Sequence, residues 1–155
     1  MKILIKNGRV VDPANGIDEI RDIAVDNAKI NKVARVLNLD ADLVINAAGR
    51  IVMPGLVDMH VHLREPGRED KETIASGTAA ALAGGITSVL AMPNTMPAID
   101  SEEAVKLLSE IIRATACVNV AICGAITKGR QGKEVTDLAR LKKEGVVAIS
   151  DDGAS

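Results

Sequence analysis

The sequence predicts an α/β fold: a small antiparallel β module over residues 1–53, then the first strand–helix units of a TIM-like (β/α)8 barrel over residues 54–155. Three observations predict it. The texture of the chain changes at Pro54-Gly55, from short strand runs joined by turns to strands alternating with helical segments. The β-rich runs of the second part begin near residues 55, 86, 118 and 146, a period of about 30 that suits successive βα units and a parallel sheet covered by helices. Polar, chemistry-bearing side chains gather where those strands end, which is the face on which βα barrels build their sites.

In the first part, Ile3-Leu4-Ile5 leads into Asn7-Gly8, a hairpin dipeptide, and Val10-Val11 follows. Ile23-Ala24-Val25 turns through Asp26-Asn27 into Ile30-Asn31-Lys32-Val33. Leu43-Val44-Ile45 turns at Ala48-Gly49 into Ile51-Val52-Met53, and Pro54-Gly55 closes the module. In the second part, the stretch from Gly55 to Leu63 is the first barrel strand. Thr73 to Ala83 is Ala-rich and stops at Gly84-Gly85, a helix C-terminal signal. Ile86 to Met92 is the second strand. Asp100 and Glu103 resemble a capping pair ahead of a helix whose Ala104, Leu107, Leu108, Ile111 and Ile112 share one apolar face. A third strand begins at Val118. Val135, Leu138 and Ala139 are expected to face inward on a third helix ended by Glu144-Gly145, and Val146 to Ser150 is the fourth strand. All these apolar stripes are read as core packing.

A closed barrel of this kind needs roughly 250 residues, so the chain is expected to reach about halfway round and to be part of a longer protein. A half barrel exposes strand edges and its apolar inner face. The isolated chain is therefore expected to be oligomeric, aggregation-prone or complemented by another polypeptide.

Composition narrows the function. A length of 155 residues is one ordinary domain, large enough to bury a core. A net charge of −2 and a pI near 5.7, with charges scattered rather than in runs, give no footprint for nucleic acid. No apolar run approaches the length that spans a bilayer, and Lys2 and Lys6 interrupt the N-terminal segment, so no signal peptide is read there. A cytoplasmic protein without a membrane partner is expected. Cys117 and Cys123 fall in one predicted strand, on the order of 20 Å apart when extended, beyond disulfide reach, and are read as buried small hydrophobes. The chain has no Phe, Tyr or Trp. Val, Ile, Leu, Ala and Met must fill the core, and a surface built on base stacking is excluded.

The chemistry is expected around Gly55 to Gly67. Read as a strand, Val57, Met59, Val61 and Leu63 share one face while Asp58, His60 and His62 share the other. Two imidazoles two residues apart on one extended face can close on a single metal ion, and these are the chain's only histidines. An arbitrary His-x-His is more often a solvated or core pair. The preceding Asp, the apolar opposite face and the following Arg64 and Pro66-Gly67 turn the balance towards a metal site. The second strand ends in Pro93-Asn94-Thr95, the third near Thr127-Lys128-Gly129-Arg130 and the fourth in Asp151-Asp152. A carboxylate from another strand added to two imidazoles makes a partial site for an ion such as zinc, and Asp152 could bridge a second metal. Asp-Asp-Gly is as often simply a turn. Arg64 has the planar fork suited to a substrate carboxylate, and Asn94 can donate to that carboxylate or to an amide oxygen. Lys128 and Arg130, in a Gly-rich loop, are read as solvated and left out of the site.

Four ordered motifs, Asp58-Met59-His60-Val61-His62-Leu63-Arg64-Glu65-Pro66-Gly67, Met92-Pro93-Asn94-Thr95-Met96-Pro97, Gly124-Ala125-Ile126-Thr127-Lys128-Gly129-Arg130 and Ser150-Asp151-Asp152-Gly153, resemble the class I (bacterial-type) dihydroorotases of the amidohydrolase superfamily. The resemblance runs essentially end to end. It implies a metal-dependent (β/α)8 barrel with a small β domain built from both chain ends, and reversible cyclisation of N-carbamoyl-L-aspartate to L-dihydroorotate in pyrimidine biosynthesis. By resemblance, His60 and His62 hold the more buried zinc of one or two. Asp152, by motif position rather than Asp151, bridges the metals, and Arg64 and Asn94 hold the substrate carboxylate. The partners implied are the small-molecule substrate and either a homo-oligomer or an aspartate carbamoyltransferase complex. The family's remaining metal-binding histidines and catalytic Asp lie on later strands, so no general base is assigned within these residues. Hydantoinases and allantoinases bridge their metals with a carbamylated lysine on strand four, and Val146 to Ser150 contains none, which favours dihydroorotase. Two rival readings are another cyclic-amide hydrolase of that kind and a non-catalytic fragment or structural homologue partnering a carbamoyltransferase. The presence of His60, His62 and Asp152 together speaks against the last.

Overall fold

The computed structural model describes residues 1–154. They form two compact units that divide between Pro54 and Gly55. Among the described residues no helix is long and apolar enough to cross a membrane.

In the first unit, β1 (Lys2–Asp12), β2 (Ile17–Asp26) and β3 (Lys29–Ala34) form an antiparallel meander. β4 (Leu43–Asn46) and β5 (Ile51–Val52) then lie side by side along the free edge of β1, both parallel to it, so the antiparallel expectation holds for β1 to β3 and the sheet as a whole is mixed. The β2–β3 hairpin turns at Asn27 and Ala28, both with positive φ, as a tight turn matched to strand twist requires.

Asn7-Gly8 is not the hairpin expected. β1 runs straight through it, and the register against β2 slips between Ile5 and Gly8. The dipeptide makes a bulge, for which the left-handed φ of 63° at Asn7 is equally suited. Two contacts favour the bulge over a turn. The buried carboxylate of Asp22 accepts the Asn7 amide at 2.9 Å and the Leu37 amide at 2.9 Å. A Cβ on residue 8 would lie 2.6 Å from Val52 Cγ2, so only glycine lets β5 close against β1 here. Leu4, Ala24 and Leu37 form the small core of this unit.

In the second unit, β6 (Leu56–Val61), β7 (Ile86–Ala91), β8 (Asn119–Gly124) and β9 (Val146–Ile149) form a parallel sheet in chain order. α1 (Ile74–Ala83), α2 (Glu102–Thr115) and α3 (Leu138–Lys143) connect them. Ile74, Val105, Leu108 and Leu141 of the helices pack with Leu63, Val89, Ile122 and Val146 of the strand segments. α1 begins in a reciprocal cap: the Thr73 hydroxyl accepts the Ser76 amide at 3.1 Å and the Thr73 amide donates to the Ser76 hydroxyl at 3.1 Å. Thr78, fully buried in α1, donates to the Ile74 carbonyl at 2.6 Å and accepts the Cys117 amide at 3.2 Å, leaving no polar atom unpaired.

Four local expectations are corrected. Ser101, not Asp100, caps α2, accepting the Ala104 amide at 3.3 Å, because the Asp100 carboxylate is taken by the Gly129 amide at 2.7 Å. α3 starts only at Leu138, capped by Asp137, so Leu141 is its buried residue, while Val135 precedes the helix and, like Ala139, is exposed. The simple two-face alternation of β6 fails. Its pairing with β7 slips twice, Val57 and Met59 are exposed, and only Val61 and Leu63 reach the core. Cys117 lies just ahead of β8 and is exposed, whereas Cys123 is buried.

Burial pushes the Asp22 carboxyl up, but the Leu37 and Asn7 amides and the Lys6 ammonium at 3.9 Å outweigh it and hold it below its ordinary value. Because the folded value is the lower one, this stabilisation is present above the ordinary carboxylate range and is lost as pH falls through the folded value. Asp22→Ala strands the buried Leu37 amide and the partly buried Asn7 amide and is expected to cost the first unit about 2 kcal/mol at neutral pH. In denaturant titrations the gap from wild type should narrow as pH drops below about 4; a gap that is constant with pH would refute the assignment.

Candidate metal centre

His60 lies at the C-terminal end of β6 and His62 just beyond it, while Asp152 follows β9. In a flat sheet, strands three places apart are separated by on the order of 14 Å. Here His60 Nε2 lies 3.1 Å from Asp152 Oδ1 and His62 Nδ1 3.7 Å from Asp152 Oδ2. The sheet therefore curls, as the wall of a barrel must, and brings its first and fourth strand ends together. The imidazole centroids are 5.1 Å apart and the rings nearly perpendicular. One ligand atom from each of the three residues falls within 4.8 Å of the others.

This donor set fits a borderline divalent cation: two nitrogens and a carboxylate that offers a separate oxygen to each ring. The Asp152 side chain is 8% exposed, whereas His60 is 59% exposed, so the carboxylate is fixed in the wall and the open side of the cluster faces solvent. Asn94, at the end of β7, places its carboxamide oxygen 3.0 Å from His62 Nδ1. Nδ1 is also the His62 nitrogen nearest the Asp152 carboxylate, so the Asn94 contact holds the ring in place beside it. Asn94 is thus set against a histidine, a contact its expected role on a substrate carboxylate did not include.

The adjacent acidic residue is turned away. Asp151 accepts the Ile126 amide at 2.9 Å, the Thr127 amide at 3.0 Å and the Thr127 hydroxyl at 2.7 Å. Burial pushes its carboxyl up, but these three hydrogen bonds and the nearby Arg130 hold it below its usual range. It remains an anion committed to the loop after β8. Between the two Asp residues, the histidines meet Asp152.

Arg64 has a left-handed backbone, with φ of 61°, and is half-buried. Among the described residues its guanidinium has no carboxylate within ion-pair distance, so it is a cation at the strand edge free to take an anionic ligand. Its loop is braced on both sides. The Glu65 carboxylate accepts the Ile74 amide at 2.8 Å at the start of α1, and the Met96 amide donates to the Pro66 carbonyl at 2.9 Å. A Cβ at Gly67 would come within 2.2 Å of the Met96 carbonyl oxygen, so the glycine is what lets the loops after β6 and β7 meet.

Lys128 is as solvated as its sequence context suggests, paired at the surface with Glu134. Arg130 is not. Its Nε donates to the Asp151 carbonyl and its Nη2 to the Asp152 carbonyl, each at 2.9 Å. The sequence signal was its place at the end of the third strand, but its targets are backbone oxygens, which no residue type announces. For Cys123, burial pushes the thiol up and the Asp152 carboxylate adds to the effect.

Solved structures share this architecture. The L-hydantoinase of Arthrobacter aurescens superposes on 95% of this chain with a TM-score of 0.83 and 27% identity, using 32% of its own length. A D-hydantoinase superposes on 96% with a TM-score of 0.78 and 25% identity, again over 32% of its length. Fold and site together thus define the N-terminal part of an amidohydrolase-type barrel protein. The profile described as Dihydro-orotase-like matches residues 49–155. A dihydroorotase of Elusimicrobium minutum is 55% identical and one of Geobacter sulfurreducens 49% identical, each over 154 residues that make up 99% of this chain and 36% of the relative. The chain belongs to the dihydro-orotase-like family, and it spans only that 36% of these relatives' length.

Asp152→Asn keeps the shape of the cluster but removes its anion, and is expected to abolish stoichiometric uptake of Zn²⁺, read by elemental analysis after dialysis. Asn94→Ala should lower affinity about 10-fold by releasing the His62 ring. Undiminished uptake by the Asp152 variant would place the ligands elsewhere.

Proposed function

We propose that the protein to which this chain contributes is a zinc-dependent dihydroorotase, catalysing the reversible cyclisation of N-carbamoyl-L-aspartate to L-dihydroorotate in pyrimidine biosynthesis. The observation that carries this reading is the meeting of His60, His62 and Asp152 at the strand ends of a chain of this family. In the synthetic direction the ureido nitrogen attacks the side-chain carboxyl carbon and water leaves. In the hydrolytic direction water adds to the same ring carbonyl and the C–N bond opens.

His60 and His62 would hold one zinc, and Asp152 would ligate it and offer its second oxygen to another. The bound metal would polarise the carbonyl and lower the pKa of its water. The remaining work falls to the chain's own groups. Arg64 presents a planar fork at the strand edge, which suits bidentate capture of the substrate's α-carboxylate and orients the ring over the cluster. Asn94 fixes the His62 ring through its oxygen and retains an NH₂ group that can donate to the substrate. Its two faces serve both roles.

A second reading, opening of a hydantoin ring, draws support from the structural neighbours. β9 has no lysine to be carbamylated, so a carboxylate must do the bridging here, which counts for the first reading.

The test is turnover by the full protein with zinc supplied, comparing L-dihydroorotate with hydantoin. Consumption of L-dihydroorotate is expected, with KM raised at least about 100-fold by Arg64→Met through the lost charge-assisted pair. Turnover of hydantoin in preference would replace this reading with the second.

A further inference from the structure

We infer that Arg130 is a positioning residue for the metal centre: it clamps the backbone of Asp151-Asp152 so that the Asp152 carboxylate is aimed between His60 and His62. This rests on the metal centre proposed above.

The argument begins with conformation. Asp152 has φ of 47° and Gly153 φ of 77°, so the chain bends through two consecutive left-handed residues immediately after β9. A non-glycine residue there costs of order 1 kcal/mol and persists only when its surroundings hold it. The hydrogen bonds around Asp152 supply the restraint. Its own amide donates to the Ser150 hydroxyl at 2.9 Å. Its carbonyl and that of Asp151 receive the two arms of the Arg130 guanidinium, each at 2.9 Å. A planar fork spanning two successive carbonyls fixes the two peptide planes that flank the Asp152 Cα, and therefore the direction in which its Cα–Cβ bond leaves the chain.

The same loop grips the turn a second way. Ile126 and Thr127, a few residues before Arg130, hold the Asp151 carboxylate by three hydrogen bonds, and the Thr127 hydroxyl also accepts the Gly132 amide at 2.9 Å. Side chain and main chain of the Asp-Asp pair are thus held from one loop, in opposite senses: an anion from the turn docks on the loop, and a cation from the loop docks on the turn. Arg130 itself sits at φ of 58°, directly after Gly129 at 59°, so its own backbone is bent to make the reach. Its nearest approach to the Asp152 carboxylate is 4.0 Å, which adds a diffuse attraction without occupying either oxygen. The carboxylate stays free for a ligand.

A solvated arginine would contribute none of this, and the two roles separate experimentally. Co²⁺ serves as the probe, because its visible d–d spectrum reports the geometry of the bound ion as well as occupancy. In the full protein, Arg130→Met is expected to weaken Co²⁺ binding about 10–100-fold, the range for residues that orient a ligand, and to alter the d–d band shape. Arg130→Lys, which reaches one carbonyl at a time, should recover part of the affinity. Lys128→Ala, two residues away on the same loop, should match wild type in both. Thr127→Val loosens the other grip and should move affinity and spectrum in the same direction, which keeps the idea testable if the methionine variant does not fold. Wild-type affinity and spectrum in both Arg130 variants would overturn the role of Arg130 while leaving the metal centre standing. A wild-type protein that takes up no Co²⁺ would remove the metal centre and this role together.

Discussion

A parallel sheet delivers its strand ends to one edge but does nothing to fix the loops that follow. In the second unit that task falls above all to one partly buried interaction, the Asp151 carboxylate on the Ile126 and Thr127 amides and the Thr127 hydroxyl. It is the last of a series. The Met96 amide joins the loop after β7 to that after β6, and the Gly129 amide on Asp100 joins the loop after β8 to that after β7. Asp151 joins the turn after β9 to the loop after β8. Each loop is tied to its neighbour by groups outside the metal cluster, so the ligands need carry none of the structural load. This division resembles the general rule that precise sites rest on supporting hydrogen bonds around them.

Adjacent acidic residues with opposite assignments illustrate how environment, and not residue type, decides chemistry. Asp151 is saturated with donors and held as a structural anion. Asp152 keeps its oxygens turned to two imidazoles. A single left-handed residue separates these outcomes, because the bend at Asp152 sends its side chain to the other side of the turn.

Much of this could be read in the sequence. The 30-residue rhythm, the Ala-rich helix closed at Gly84-Gly85 and the His-x-His at the first strand end all survive in the structure, because periodicity and capping are local properties. What could not be read depends on competition between equivalent groups. Asp100 and Ser101 are both good caps, and the distant Gly129 amide decided between them. Asn7-Gly8 suits a turn or a bulge, and Asp22 decided for the bulge. Leu141 replaced Ala139 as the inward residue because α3 begins later than its apolar spacing implies. Arg130 escaped notice for another reason: its partners are carbonyls, which every residue carries.

The aromatic-free composition has a practical consequence for observing the site. With no Phe, Tyr or Trp in the 155 residues and only two histidines, the carbon-bound aromatic protons of the chain all belong to His60 and His62. In heavy water the aromatic window of a proton magnetic resonance spectrum would hold the imidazole signals alone. The two residues of greatest chemical interest are thus the only aromatic reporters the chain possesses, and protonation and ligation at the centre can be followed there without isotopic labels.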